Sequence, residues 1–192
     1  MKIGIVTGSI RENRVNLDVA EWVKKLAIEI GGAEYEIVDI KRYDLPLFAE
    51  PTSPAYTQDL VEKEKQRPWS EKMNEKDGYI FIAPEYNHGI PSALKNALDF
   101  LYPELNDKAA GIVSYGSTGG VRSAEHLRGV LSEFQVAHVR THPALSIFYD
   151  FDYPNLNPTD AQTEAVKTMI NQLLPWTEAM QGVRQKKTAD HQ

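Results

Sequence analysis

Five short apolar segments, each followed along the chain by a predicted helix, limit the folds that this chain can adopt. The segments are KIGIVT (2–7), YEIVDI (35–40), GYIFIA (78–83), AAGIVSY (109–115) and VAHVRT (136–141). After the first, third and fourth segments, apolar side chains recur every three or four residues, as they do on one face of a helix. Strands that alternate with helices are typical of an open parallel sheet with helices on both faces. The sequence therefore predicts a doubly wound α/β fold with five parallel strands.

One part of the chain interrupts this alternation. The loop after the second segment contains Pro46, Pro51 and Pro54, which is too much proline for regular structure. Residues 57–77 then have helical character with interleaved charges, and we expect a break near Pro68. Interleaved charges of both signs are typical of a solvated helix face.

The C-terminal part begins with a loop. Residues 149–158 are rich in proline, asparagine and tyrosine, which favours irregular structure. Thr159 and Gln162 have the spacing of a capping box, so the last helix is expected to start there. Pro175 is expected to end or kink that helix, because proline lacks a backbone N–H.

Length and composition limit the class of protein. A chain of 192 residues is most simply one domain, here residues 1–180, with a polar tail at 181–192 that we expect to be flexible. The net charge of −6 argues against a nucleic-acid partner, which favours a basic surface. The sequence has no cysteine, no leader pattern and no apolar run of the roughly 20 residues that a membrane span needs. We expect a cytoplasmic protein with no membrane association.

Three loops with unusual chemistry follow strands one, three and four. They cover residues 8–16, 84–91 and 114–120. In doubly wound sheets, ligands bind beyond the carboxyl ends of the strands, near the point where the strand order reverses. If these loops lie at one edge of the sheet, they form a single site.

The first loop, GSIRENRVN, has the character of an anion site. Gly8 allows a tight turn, and Ser9 and Asn16 offer short polar side chains in front of a helix N-terminus. Arg11 and Arg14 add donors that suit phosphate oxygens. The spacing matches neither a dinucleotide fingerprint nor a nucleotide P-loop. The alternative is an ordinary helix cap with two exposed arginines.

The second loop places Pro84, Glu85, Tyr86, Asn87 and His88 between a buried strand and a helix. A stiff turn at a strand end exposes backbone donors and acceptors in a fixed row, which suits the edge of a flat heterocycle. The alternative is a capped loop with Tyr86 packed and His88 on the surface. The histidines of the sequence have no spacing typical of a metal site.

The third loop, SYGSTGG, lets the backbone approach a ligand at its glycines. Ser114 and Tyr115 add polar and flat contacts beside Gly116. The alternative is an ordinary flexible connection. Arg122 follows at a helix start, where the helix dipole disfavours a cation, so we expect an anionic partner or a role at an interface.

These loops resemble those of the NADPH-dependent FMN reductases, a flavodoxin-like family with azo-, chromate- and quinone-reducing members. The resemblance covers about residues 2–140. It lies in GS-x-R of the first loop, in PEYN…P-x-x-LKNA-x-D from residue 84, which is the most specific part, and in S-x-G-x-x-GG-x-R from residue 114. The family commonly has GS-x-R-x-x-S-x-N, and here Arg14 stands in place of that serine. Whether residue 14 contacts a phosphate stays open.

The resemblance implies a flavodoxin-like fold and a set of residues that bind FMN non-covalently. Ser9, Arg11 and Asn16 would hold the phosphate. Pro84, Glu85, Tyr86 and Asn87 would line the flavin ring, mostly through backbone groups, and Ser114, Tyr115 and Gly116 would meet its other edge. No catalytic acid or base is implied, because the hydride step takes place on the flavin.

The implied activity is electron transfer from NADPH or NADH, through FMN, to a small-molecule acceptor. Candidate acceptors are a quinone, an azo dye, free flavin or a metal oxyanion, and the implied assembly is a homodimer or a tetramer. The alternative is a non-enzymatic flavodoxin-like electron carrier or a redox-sensing partner protein, although two arginines and a modest negative charge are atypical of such carriers. A hydrolase is disfavoured, because the sequence has no G-x-S-x-G elbow and no cysteine nucleophile.

Overall fold

The strand at Gly78–Pro84 is buried along its whole length, because helices cover both faces of the sheet on which it lies. The structure is a computed structural model and describes residues 1–190. Its helices are α1 (Asn16–Ile30), α2 (Lys63–Asn74), α3 (Ser92–Asp99), α4 (Val121–Glu133) and α5 (Asp160–Asp190). Its strands are β1 (Lys2–Thr7), β2 (Glu34–Val38), β3 (Gly78–Pro84), β4 (Ala109–Gly116), β5 (Ala137–His138), β6 (Ala144–Ser146), β7 (Phe151–Asp152) and β8 (Asn155–Leu156).

The main sheet has the order β2-β1-β3-β4-β5, and all its pairs are parallel. The order reverses between β1 and β3, so the loops that follow these two strands leave the sheet at the switch point. Helices α1 and α5 pack on one face, and α2, α3 and α4 pack on the other. The predicted doubly wound parallel fold is confirmed.

The fifth strand is shorter than the sequence predicts and is divided into two pieces. β5 pairs with the start of β4, and β6 pairs with its end. Between them the chain leaves the regular ladder, and the side chain of Arg128 donates to the carbonyls of Val139 and Arg140 at 3.0 and 3.1 Å. Pro143 in this segment has no N–H for a ladder, which helps to explain the break.

Helix α2 is continuous and partly buried, whereas a solvated helix with a break near Pro68 is predicted. Pro68 lies inside the helix. The next residue, Trp69, is completely buried, and its indole N–H donates to the carbonyl of Ala97 at 2.7 Å. The buried tryptophan anchors the helix to α3 and to the hydrophobic core, and this packing offsets the backbone bond that proline removes.

The last helix also runs further than expected. Its start agrees with the prediction, and the N–H of Gln162 points to the Thr159 hydroxyl at 3.4 Å. The capping box is only half formed, because the Gln162 side chain donates to the Ala144 carbonyl at 2.9 Å. Pro175 does not end it, and the helix continues through residues 181–190 of the polar tail. The side chains of Arg184 and Lys187 bind Asp107 at 2.7 Å each, which ties this segment to the body of the protein. Residues 191–192 lie outside the described residues.

A second, small sheet forms where a loop is predicted. Strands β7 and β8 pair antiparallel within residues 149–158. Such short strands lack the alternating pattern by which sequence reasoning detects them. No helix within residues 1–190 is both long and apolar enough to cross a membrane.

Candidate functional site

The three loops meet at the carboxyl edge of the sheet and enclose a cavity of about 440 Å³. This volume lies within the range of about 300–1,000 Å³ that is common for small-molecule sites. The cavity is lined by Arg11, Glu12, Asn13, Arg14, Val15, Pro84, Glu85, Tyr86, Tyr115, Gly116, Ser117, Ile147 and Tyr153. Seven of the eleven residues proposed from the sequence are in this set. The other four are Ser9, Asn16, Asn87 and Ser114.

Asn16 holds the three loops together from below. Its side-chain oxygen accepts from the N–H of Gly8 at 2.9 Å, and its NH₂ donates to the Ile82 carbonyl at 3.3 Å and to the Tyr115 hydroxyl at 3.2 Å. The residue is completely buried. A Cβ on Gly8 would come within 2.5 Å of the Ile82 carbonyl oxygen, so only glycine allows this close approach. Asn16 therefore braces the site, and its polar atoms are already occupied within the protein.

Ser9 links the first loop to the second. Its hydroxyl lies 2.7 Å from the Tyr86 hydroxyl and accepts from the N–H of Arg11 at 3.3 Å. The guanidinium of Arg11 lies over the Tyr86 ring, 5.7 Å from its centroid. This geometry is that of a cation–π contact. Arg11 itself is solvent-exposed, so its positive charge faces the open side of the loop.

Arg14 is held by a residue that the sequence analysis did not identify. Its guanidinium pairs with Asp39 at 2.5 Å, and the two side chains are only 7% and 9% exposed. The same carboxylate accepts from the Thr7 hydroxyl at 2.9 Å and from the N–H of Lys41 at 3.1 Å. The Nε of Arg14 is buried and has no hydrogen-bond partner within the described residues. An anion in the cavity could supply the missing acceptor, because unpaired buried donors are costly.

The second loop is a tight two-residue turn. The backbones of Tyr86 and Gly89 exchange two hydrogen bonds at 3.0 and 3.1 Å. Asn87 and His88 between them have φ of +49° and +70°, which are the values of a type I′ turn. Asn87 and His88 are exposed at its tip, outside the cavity lining. The backbone of Glu85 donates to the Tyr115 carbonyl at 2.9 Å and joins this loop to the third.

Glu85 and Arg122 form an ion pair beside the cavity. Arg122 donates to the Glu85 carboxylate from its side-chain Nε at 2.6 Å and from its backbone N–H at 3.1 Å. Burial opposes the charge of Glu85, but the hydrogen bonds and positive charge of Arg122 outweigh it and lower the pKa of this carboxyl below its usual value. Arg122 has the anionic partner that its position at the start of α4 led us to expect.

In the third loop Ser114 is buried and shapes the backbone. Its hydroxyl donates to the Gly119 carbonyl at 2.6 Å and lies 2.8 Å from Nε2 of His142. Burial, and then the charge of Arg128, lowers the pKa of His142, so the neutral imidazole is favoured. Gly120 has a φ of +73°, and a Cβ there would meet the backbone of Tyr115 at 2.7 Å. The serine thus supports the loop, and the hydroxyl has its contacts within the protein.

Sequence reasoning missed Asp39, His142, Ile147 and Tyr153. Asp39 ends the second apolar segment, and an acidic residue at that strand end could have been paired with Arg14 of the adjacent first loop. His142, Ile147 and Tyr153 come from the divided fifth strand and the unpredicted hairpin, so no local pattern marks them. Within residues 1–190 no group of three or more metal-ligating side chains is suited to hold a metal ion.

Known proteins are similar to this chain in sequence and in structure. A family model described as NADPH-dependent FMN reductase matches residues 1–150. An NAD(P)H-dependent FMN reductase of Schizosaccharomyces pombe is 37% identical over 146 residues, covering 76% of this chain and 73% of the relative. A quinone reductase of Escherichia coli K12 is 33% identical over 141 residues, covering 68% of this chain and 70% of the relative.

Among solved structures, the NAD(P)H:acceptor oxidoreductase FerB from Paracoccus denitrificans shares the fold. The TM-score is 0.71 at 18% sequence identity, and the match covers 93% of this chain and 98% of FerB. The match over three quarters of the chain, together with the three loops, decides the classification. The chain belongs to the NADPH-dependent FMN reductase family.

Proposed function

We propose that this protein binds FMN non-covalently in the 440 Å³ cavity and passes electrons from NADPH or NADH to a small acceptor. The observation that carries the proposal is the polarity of the cavity. Its lining combines the guanidinium groups of Arg11 and Arg14 with the stiff segments Pro84–Tyr86 and Tyr115–Gly116. A flat ring system with an anionic arm can use both kinds of lining.

The fit at the phosphate end depends on the two arginines. The buried and unpartnered Nε of Arg14 is a donor that lacks an acceptor, and a phosphate oxygen would provide one. Arg11 is exposed and can turn its guanidinium from the Tyr86 ring to the phosphate. We assign Arg11 and Arg14 to the phosphate. Ser9 and Asn16 are given the role of braces, because both are completely buried and their side-chain polar atoms are occupied by protein partners.

At the ring end, the walls are the segment from Pro84 to Tyr86 and the segment Tyr115–Gly116. Asn87 would reach the ring only from the tip of its turn, through a change of side-chain conformation. Ser114 acts indirectly, because its hydroxyl fixes the glycine loop from behind.

Bound FMN would supply the two-electron chemistry that NAD(P)H and the acceptor exchange. The protein's own contribution is to position the ring and to exclude competing acids and bases. Glu85 is the one carboxylate in the ring wall, and Arg122 binds it from both its side chain and its backbone. We therefore assign Glu85 a structural role and no role as a general base.

The proposed acceptor is a quinone, an azo dye, free flavin or a metal oxyanion. Relatives named as an FMN reductase and as a quinone reductase, 37% and 33% identical to the chain, support a small-molecule acceptor. The protein is further proposed to be cytoplasmic.

We also propose a homodimer, with a tetramer as the larger alternative. Beside the site is a second cavity of about 370 Å³ whose lining includes Ile10, Leu45, Leu47 and Ala93. Ile10 and Leu47 are 49% and 84% exposed in this one cavity, and an exposed apolar patch of this kind is what a partner subunit covers. Lys95 and Asp99 of α3, which could have served such an interface, pair with each other at 2.6 Å.

A turnover assay tests the proposal. The purified chain, reconstituted with FMN, should oxidise NADPH or NADH continuously when a quinone is present. The same chain without FMN should not. A protein that binds FMN but shows no turnover with quinone, dye, flavin or metal-oxyanion acceptors would instead be a carrier.

A further inference from the structure

The hairpin β7–β8 adds a fourth side to the cavity that the three loops enclose. Its first residue, Phe151, comes directly after the 150 residues that the family model matches. Tyr153 lies at the turn of this hairpin and lines the cavity together with residues 11–15 of the first loop. Its side chain is nevertheless 72% exposed. A large aromatic ring therefore lies at the rim of the site with most of its surface in solvent.

The base of the hairpin is firmly held. Asp150 is almost completely buried, and its carboxylate accepts from the N–H of Ser146 at 2.8 Å and from the N–H and hydroxyl of Thr159 at 3.1 and 3.0 Å. The Asp150 carbonyl accepts from the N–H of Asn157 at 2.9 Å. These bonds join the strand before the hairpin to the start of the helix after it, so the two ends of the hairpin are held together at its base.

The hairpin is also packed onto the site itself. The ring of Phe151 is buried and lies 6.0 Å from the ring of Tyr115, which forms part of the cavity wall. The Tyr115 hydroxyl in turn accepts from Asn16, the brace of the first loop. Two aromatic residues of one hairpin thus have opposite roles. Phe151 anchors it to the site from inside, and Tyr153 is left free at the mouth of the cavity.

We propose that the ring of Tyr153 packs against the ribityl arm of the bound flavin and forms the fourth wall of the cofactor site. This inference rests on the proposed function. The arm is the part of the flavin that would run from the first loop toward the ring wall, and Tyr153 shares the cavity with the first-loop residues. Contact would remove apolar ring surface from water, and a ring on an anchored hairpin needs little ordering to make it.

Dissociation constants for FMN and riboflavin, measured by quenching of flavin fluorescence, test this inference. Both ligands contain the ribityl arm, so Tyr153→Ala should weaken both by about tenfold, which equals about 1.4 kcal/mol. Tyr153→Phe keeps the ring and should bind both within about twofold of wild type. Tyr149→Ala is the matched control, because Tyr149 is a 79% exposed neighbour that does not line the cavity. It should change neither constant.

Two results would overturn the inference. One is unchanged binding of both flavins by Tyr153→Ala. The other is a loss of FMN binding alone in Tyr153→Phe, which would assign the contact to the hydroxyl and the phosphate. Thermal unfolding of the flavin-free variants should match wild type, because the ring is exposed. Failure of the wild-type protein to bind either flavin would contradict the proposed function, so the two failures are distinguishable.

Discussion

The side chain of Arg122 donates to Glu85 at 2.6 Å, and the backbone N–H of the same arginine donates to the other carboxylate oxygen at 3.1 Å. One residue at the start of α4 thus fixes the carboxylate of the ring-wall loop through two different groups. The pair accounts for the presence of both charges. Arg122 has a counter-charge at the helix N-terminus, where the helix dipole disfavours a cation, and the carboxylate of Glu85 is occupied by Arg122.

Replacement of Glu85 by Gln should therefore alter stability more than chemistry. We expect the turnover rate constant with quinone to keep its pH dependence in Glu85→Gln, because Glu85 is not proposed to transfer a proton. The pKa of Glu85 is lowered in the folded state, so its stabilising contribution is complete above its ordinary value of 4.5 and is lost as the pH falls through the lowered one. Urea unfolding at several pH values should show that the free energy of unfolding falls less with decreasing pH in Glu85→Gln than in wild type. A pH–rate profile that loses one ionisation in the variant would restore Glu85 as a base.

Arg11→Ala should separate the phosphate contact from the ring contacts. A hydrogen bond to a charged group contributes about 1.5–3 kcal/mol, so FMN should bind roughly tenfold to a hundredfold more weakly. Riboflavin has no phosphate and should bind as it does to wild type. Fluorescence quenching with both flavins provides the measurement. Equal losses for both ligands would remove Arg11 from the phosphate site.

Arg14→Ala should weaken FMN selectively and also destabilise the protein, unlike Arg11→Ala. It leaves Asp39 buried without its counter-ion, and loss of one member of a buried pair costs about 3–5 kcal/mol. Urea unfolding of the flavin-free protein measures this cost, with Arg11→Ala as the matched control because Arg11 is exposed. Stability equal to wild type would show that the Arg14–Asp39 pair does not form in solution.

Lys108 gives a prediction far from the site. Burial lowers its pKa to about 7, and its amine donates to the carbonyls of Met73 and Asn74 at the end of α2 at 3.2 and 3.0 Å. Between pH 7 and the ordinary value of 10.5, the unfolded chain binds more protons at this lysine than the folded one. Its contribution should therefore make stability rise with pH over that interval. Lys108→Met should remove the rise, and Lys63→Met, at an exposed lysine, should keep it.

The assembly is tested by sedimentation at micromolar concentration. We expect a dimer for wild type and a shift toward monomer for Leu47→Lys, because a charge would be buried in the proposed interface. Val61→Lys is the control, since Val61 is an exposed apolar residue outside the second cavity. A monomeric wild-type protein would contradict the proposed assembly.

Local patterns in the sequence predict the sheet and the loops that carry the chemistry, because apolar periodicity and turn residues are local signals. The role of Asn16 shows where such reasoning ends. Its partners Ile82 and Tyr115 lie 66 and 99 residues away, so only the folded chain shows that its amide is occupied. The position of Tyr153 could not be predicted either. It depends on the hairpin β7–β8, whose short strands have no alternation of apolar and polar residues.

Helix α2 shows the opposite limit. Proline and dense charge favoured a broken, solvated helix, yet buried Gln66, Trp69 and Met73 anchor it to the core. Composition describes the exposed side of such a helix, whereas tertiary packing of a few residues decides whether it forms.

An anaerobic titration of the FMN-reconstituted protein, followed by its visible spectrum, tests directly whether the bound flavin takes electrons from a nicotinamide. We predict a protein-bound flavin band that is lost with about one equivalent of NADPH or NADH, because each nicotinamide carries two electrons. Steady-state kinetics should then give parallel double-reciprocal lines, since one cavity serves the donor and the acceptor in turn. A protein that retains no flavin band would contradict FMN binding. A bound flavin whose band neither NADPH nor NADH removes would contradict electron transfer from the nicotinamide.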